Sequence, residues 1–157
     1  MSSIADQLKN INVMQLKMSN GMTYEEVLKS ETKRLKKCII DELQNYYNTY
    51  DPVYLQYRTE NLLDALELDD NVRISGVGNT LSVYLNFNHD MSYNPSILGG
   101  DEGYTPYLLN YGWKWENQPS TPIYRFSYFD GIHFLENARK KFEEQNPYGI
   151  KVNIESY

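Results

Sequence analysis

Between Val27 and Tyr46 the apolar positions keep the period of a helix. Val27, Leu28, Leu35, Cys38, Ile39, Leu43 and Tyr46 share one wide face, while Glu31, Lys33, Arg34, Lys37 and Asp41 occupy the other. Thr23 followed by Glu26 is a capping-box pair, so the helix is expected to begin there and to run for about twenty-four residues. Asn48, Asp51 and Pro52 supply the stop, because proline lacks an amide donor and restricts the residue before it. Ahead of it, Ile4, Leu8 and Ile11 hold a helical spacing that Asn10, Asn12, Ser19, Asn20 and Gly21 oppose, and residues 1–22 read as an arm.

The pattern then shortens. Thr59 is placed to cap a short helix carrying Leu62, Leu63 and Leu66, and the run Glu67, Asp69, Asp70 and Asn71 is expected to break it as a solvated turn. Val72 and Ile74, then Leu81, Val83, Leu85 and Phe87, alternate with polar residues as strands with one buried face do. Gly76, Val77, Gly78 and Asn79 between them predict a hairpin connection. Residues 88–103 read as a long loop. Tyr104 to Trp115 predicts a helical turn followed by an extended segment. Asp130 ahead of Gly131 and Ile132 predicts the cap of a last helix with Ile132, Leu135 and Phe142 inward and Ala138 and Arg139 on its flank. That helix is expected to stop at Asn146-Pro147, with Gly149 turning the chain into a strand through Ile150, Val152 and Ile154. The elements together predict an α+β fold: a long N-terminal helix and a C-terminal helix packed on a small, mainly antiparallel sheet. Residues 23–157 form one domain on this reading, since 157 residues with 41% apolar content are enough for one core and short for two.

Charge narrows the function. Twenty-one acidic against 15 basic residues leave a formal charge of -6, which offers no general attraction to nucleic acid or anionic lipid. Lys33, Arg34, Lys36 and Lys37 form the one basic cluster and are expected to be the wet face of the long helix. A single cysteine, Cys38, excludes an intrachain disulfide and a cysteine-built zinc site, and it reads as a small core residue. No stretch has a signal-peptide core or the roughly eighteen apolar residues of a membrane span. Synthesis in the cytoplasm is the expectation.

Catalytic patterns are few. His89 and His133 are the only histidines, which leaves no room for a histidine-rich metal centre and little for a triad. His133 reads as a packed or hydrogen-bonding residue, and a metal site from His89, Asp90, Asp101 and Glu102 has only one histidine on a glycine-hinged loop behind it. Glu67, Asp69 and Asp70 lack the ladder of a calcium loop, and GVGN lacks the lysine and hydroxyl of a phosphate loop. No catalytic role, cofactor or metal is expected. The composition departs from the ordinary in its aromatics, with 15 Tyr and 2 Trp against 5 Phe. Tyrosine suits surfaces that are buried in one state and wet in another, although an AT-rich coding sequence accounts for the same excess equally well.

Three segments carry a resemblance: YYNTYDPVYLQYRTENLLDAL (Tyr46 to Leu66), GYTPYLLNYGW (Gly103 to Trp113) and YFDGIHFLENARKKFEEQNPYG (Tyr128 to Gly149). In this order, over about Tyr24 to Ile154, the chain resembles the tail-completion or neck proteins, minor structural proteins of long-tailed phages and prophages of Gram-positive bacteria. Arg58, Thr59 and Asn61 match the first segment's pattern, Tyr107, Tyr111 and Gly112 the second, and Gly131, His133 and Phe134 the third. Glu60 stands where many members carry glycine, and the loop from His89 to Gly103 is long for the pattern. The resemblance implies a non-enzymatic virion protein joining tail to head-side connector. It implies a homo-oligomeric ring, a hexamer being one size, that contacts other head-tail or tail proteins. Such a ring would surround DNA without specific nucleic-acid binding, and no membrane is involved. The contact residues expected for such a protein are Tyr107, Tyr111, Trp113, Trp115 and Arg58. A reading of a different class, a carbohydrate-binding or adhesion module, uses the same tyrosines and tryptophans to stack on sugar rings.

Overall fold

The computed structural model describes residues 17–49, 61–69, 71–75, 80–88, 93–94, 103–114 and 128–155. The arm expected over 1–22 lies outside them up to residue 16. Its last part forms a turn in which the Gly21 N–H donates to the Met18 carbonyl, and Lys17 bridges Thr23.

Helix α1, Tyr24–Asn48, begins where the capping box places it. The Glu26 N–H donates to Thr23 Oγ1 at 3.1 Å, and the Thr23 N–H donates to Glu26 Oε2 at 2.8 Å. Its buried positions are Val27, Thr32, Ile39, Leu43 and Tyr47. Tyr47 continues the row Ile39, Leu43 four residues at a time, whereas Tyr46, expected inward, is half-buried at the margin of the core. Thr32 can be buried because its hydroxyl donates to the Leu28 carbonyl at 2.7 Å. Arg34, expected on the wet face, turns instead toward the C-terminal helix.

Helix α2, Asn61–Ala65, is followed at once by strand β1, Leu66–Leu68. Leu66 is therefore a strand residue and not the end of a helical face, and the acidic run opens on a strand. β2, Arg73–Ser75, pairs with β3, Thr80–Ser82, and β4, Leu85–Phe87, pairs with β1, both antiparallel. The strand expected to run unbroken from Leu81 to Phe87 is thus two strands with different partners. Leu68 faces Leu85 and Arg73 faces Ser82, so the stretch between Leu68 and Arg73 is matched by Val83 and Tyr84 alone, a bulge in one long hairpin. Asp69 organises it. Its N–H donates to the Tyr84 carbonyl, its Oδ1 accepts from the Asn71 N–H, and its Oδ2 holds Arg73 at 2.9 Å. Those hydrogen bonds, first the Asn71 N–H and then Arg73, hold the Asp69 carboxyl below its usual range.

β5, Tyr93–Asn94, pairs with β6, Gly103–Tyr104, so a short ladder starts inside the stretch expected to be loop and closes its far end. Helix α3, Thr105–Tyr111, leads to β7, Trp113–Lys114, which pairs with β8, Tyr128–Phe129. The last helix, α4, spans Phe134–Glu144. It starts later than Asp130 predicted, with His133 at the cap in the left-handed region at φ 51°. Phe134, Ala138 and Phe142 are its buried residues, one every four, while Leu135 packs half-buried on the core's edge. Past it, Asn146 closes a turn by accepting from the Ile150 N–H and donating to the Ile150 carbonyl. Ile150, Val152 and Ile154 are half-buried and Lys151, Asn153 and Glu155 exposed, as the alternation predicts, yet residues 150–155 join no strand. Side-chain alternation needs only one covered flank; a strand also needs a backbone partner.

The core gathers Ile39, Leu43 and Tyr47 of α1, Leu62 and Ala65 of α2, Leu66 of β1, Leu109 of α3, and Phe134 and Ala138 of α4. α1 and α4 run antiparallel. Asn20, before α1, reaches Tyr148, beyond α4, while Arg34 lies 4.0 Å from the Phe142 ring centre and donates to the Phe142 carbonyl. Glu31 holds the same guanidinium at 2.7 Å, and Lys141 pairs with Glu42, which raises the Lys141 pKa above its ordinary value. This is an α+β fold with a long N-terminal helix, a C-terminal helix and short antiparallel strand pairs.

Candidate functional site

Helix α3 has only seven residues and two unlike sides. Pro106, Leu109 and Asn110 are buried. Tyr107 and Tyr111, one turn apart, are 45% and 38% exposed, with ring centres 4.9 Å apart and planes tilted by 51°. An exposed aromatic pair in ring contact offers a large amphipathic surface of the kind found at protein contacts.

The pair is held in place from behind. The carbonyls of Leu109 and Asn110, at the helix end where no intrahelical donor follows, accept from the Ile132 and His133 N–H groups at 2.9 and 3.1 Å. Gly112 and Gly131 both take positive φ, 83° and 79°. A Cβ on Gly131 would lie 2.4 Å from the Asn110 carbonyl oxygen, so only glycine lets the chain before α4 pass this close to the end of α3. In return the Asn110 side chain caps α4: its Oδ1 accepts from the Leu135 N–H at 2.9 Å, and its Nδ2 donates to Glu136 Oε2 at 2.9 Å. The cap expected from Asp130 is thus supplied by a different helix. The β7–β8 ladder, with Trp113 opposite Phe129, ties the same two segments together beyond the junction.

Of the contact residues named from sequence, Tyr107 and Tyr111 come together as one surface, and Trp113 follows them with its backbone in β7. Arg58 and Trp115 lie outside the described residues, as do His89, Asp90, Asp101 and Glu102. Among the described residues no group of three or more His, Cys, Asp or Glu is arranged to hold a metal ion, and no helix is long and apolar enough to cross a membrane. Cys38 is half-buried against the core, and burial pushes its thiol pKa up, the direction of a packed and not an activated cysteine. His133 is exposed at the α4 cap.

Two features were not read from sequence. Asn110 is the junction's central residue; its one sequence signal is a poor helix former inside a helical pattern. A second exposed group, Met22, Tyr24 and Tyr148, lies where α1 begins and α4 ends, near the Asn20–Tyr148 hydrogen bond at 3.4 Å. Comparison of the chain with protein-family models, characterised proteins and solved structures finds no match.

Proposed function

We propose that the chain is a non-enzymatic phage structural protein, a tail-completion or neck component that assembles with copies of itself and with neighbouring head-tail proteins. The observation that carries this reading is the exposed Tyr107–Tyr111 pair, presented on a helix whose other side is fully engaged. Large aromatics at a surface are the residues on which protein contacts most often depend. Both tyrosines belong to the second of the three segments on which the resemblance rests.

A second feature supports assembly into a ring. Asn110, on the same short helix as the tyrosine pair, binds the first turn of α4, and Met22, Tyr24 and Tyr148 lie toward the other end of α4. The eleven residues between separate the two groups by roughly 16 Å of helix. Two unlike surfaces on one subunit are the requirement for head-to-tail contacts, which close into rings when the rotation allows.

Sedimentation of the purified chain tests the contact. Wild type is expected to self-associate, and Tyr107→Ser/Tyr111→Ser to stay monomeric with unchanged folding. Electron micrographs of the phage lacking the gene test the role: separate heads and tails are expected, and normally joined, infectious particles would sink it. The carbohydrate-binding reading uses the same rings; glycan-array binding lost in the double variant, with sedimentation unaffected, selects it instead.

A further inference from the structure

Asn110 is wholly buried, yet both ends of its amide are spent on another helix. The Leu135 N–H and the Glu136 carboxylate take its oxygen and nitrogen, while the backbone before α4 satisfies the last carbonyls of α3. The end of α3 and the chain entering α4 therefore supply terminal partners to one another. At seven and eleven residues, both are shorter than the roughly 12 to 15 that hold a helix alone in water.

We infer that Asn110 is the positioning residue of the tyrosine surface: it makes display of Tyr107 and Tyr111 conditional on the first turn of α4, so that the two helices dock and release as one unit. The positioning role rests on the interface reading proposed above; the coupling between the helices does not. The position asks for a neutral amide, because it must accept from an N–H and donate to a carboxylate. Aspartate there accepts but cannot donate when ionised, and it sets a second negative charge against Glu136. The other titratable groups at the junction, Asp130, His133, Tyr107 and Tyr111, stay the same in the variants below.

Hydrogen exchange on the full chain tests the coupling with Asn110→Asp, Glu136→Gln and the double variant. At neutral pH, Asn110→Asp is expected to lower protection of α3 and of residues 134–137 together, by about tenfold or more, relative to the middle of α1. Adding Glu136→Gln restores both, since the amide introduced at position 136 then donates to the new carboxylate. Loss in α3 with α4's first turn unmoved, uniform loss through α1, or a double variant no better than the single one overturns the coupling. Sedimentation separates the two ideas. If Tyr107→Ser/Tyr111→Ser self-associates like wild type while the exchange result holds, the interface reading fails and the coupling stands. If the tyrosine variant dissociates but Asn110→Asp does not, the positioning role is overturned.

Discussion

At Gly131 and Gly149 the same residue type does two different jobs. Both have positive φ, 79° and 63°, but a Cβ on Gly131 would strike the end of α3, while one on Gly149 meets nothing within 4 Å. Gly149→Ala is expected to cost about 1 kcal/mol, the penalty of left-handed backbone alone. Gly131→Ala should cost clearly more, about 3 kcal/mol or above once the backbone collision adds to that strain. Urea denaturation of the two variants side by side checks the order, and equal losses would refute the close approach. In α4, Phe134 is wholly buried and Leu135 only partly, so Phe134→Ala is expected to cost about 3 to 5 kcal/mol and Leu135→Ala distinctly less. A cap at Asp130 starts the helix too early and turns Leu135 inward. The true first residue is Phe134, and the buried row follows from it at every fourth position.

Elements here hold one another by their ends as much as by their faces. The Thr23–Glu26 box is local, and both residues are legible in the sequence; Thr23→Ala is expected to remove about 1 kcal/mol. The bonds to Thr23, backbone first, keep the Glu26 carboxyl below its ordinary value of 4.5. A depressed carboxyl stabilises the fold above its unfolded value, and that contribution disappears as the pH falls through the folded one. Asp69 behaves alike from its ordinary 3.8. Acid is therefore expected to loosen the start of α1 and the hairpin bulge, seen as a fall in denaturation midpoint below about pH 4.5. Thr23→Ala should flatten part of that fall. Lys141 has the opposite sign: its raised pKa stabilises below its ordinary 10.5 and is lost as the pH rises past it. Arg34 joins α1 to α4 through a ring face and a carbonyl at once, so Arg34→Lys, which keeps the charge, is still expected to weaken the fold by about 1 kcal/mol.

For the whole molecule, the exposed aromatics make a prediction that folding measurements and assembly measurements must answer differently. Tyr107→Ser/Tyr111→Ser is expected to change the unfolding free energy by no more than about 0.5 kcal/mol, as exposed positions do, while altering the sedimentation profile. A large loss of stability with unchanged association would mean that the pair serves the fold. Part of this surface is legible in the chain: the spacing of Tyr107 and Tyr111 already sets them one helical turn apart. That Met22, Tyr24 and Tyr148 fall at the same end of the α1–α4 pair is not, because it follows only from the two helices running antiparallel.

Signals a few residues long were enough to set the span and capping of α1, the hairpin between Ile74 and Leu81, the short helix before Gly112, and the α+β class. Helix period, capping boxes and turn glycines act over one or two turns of chain, so these signals are readable without the rest of the fold. The rest waited on the packing of distant segments. Packing split the strand from Leu81 to Phe87 between two partners, denied a ladder to Ile150, Val152 and Ile154, and capped α4 with Asn110, twenty-five residues before Leu135. It also turned Arg34 from solvent onto Phe142. Each of these outcomes depends on which backbone or side-chain group arrives from elsewhere to satisfy an open hydrogen bond or cover a ring, and no local pattern encodes that arrival.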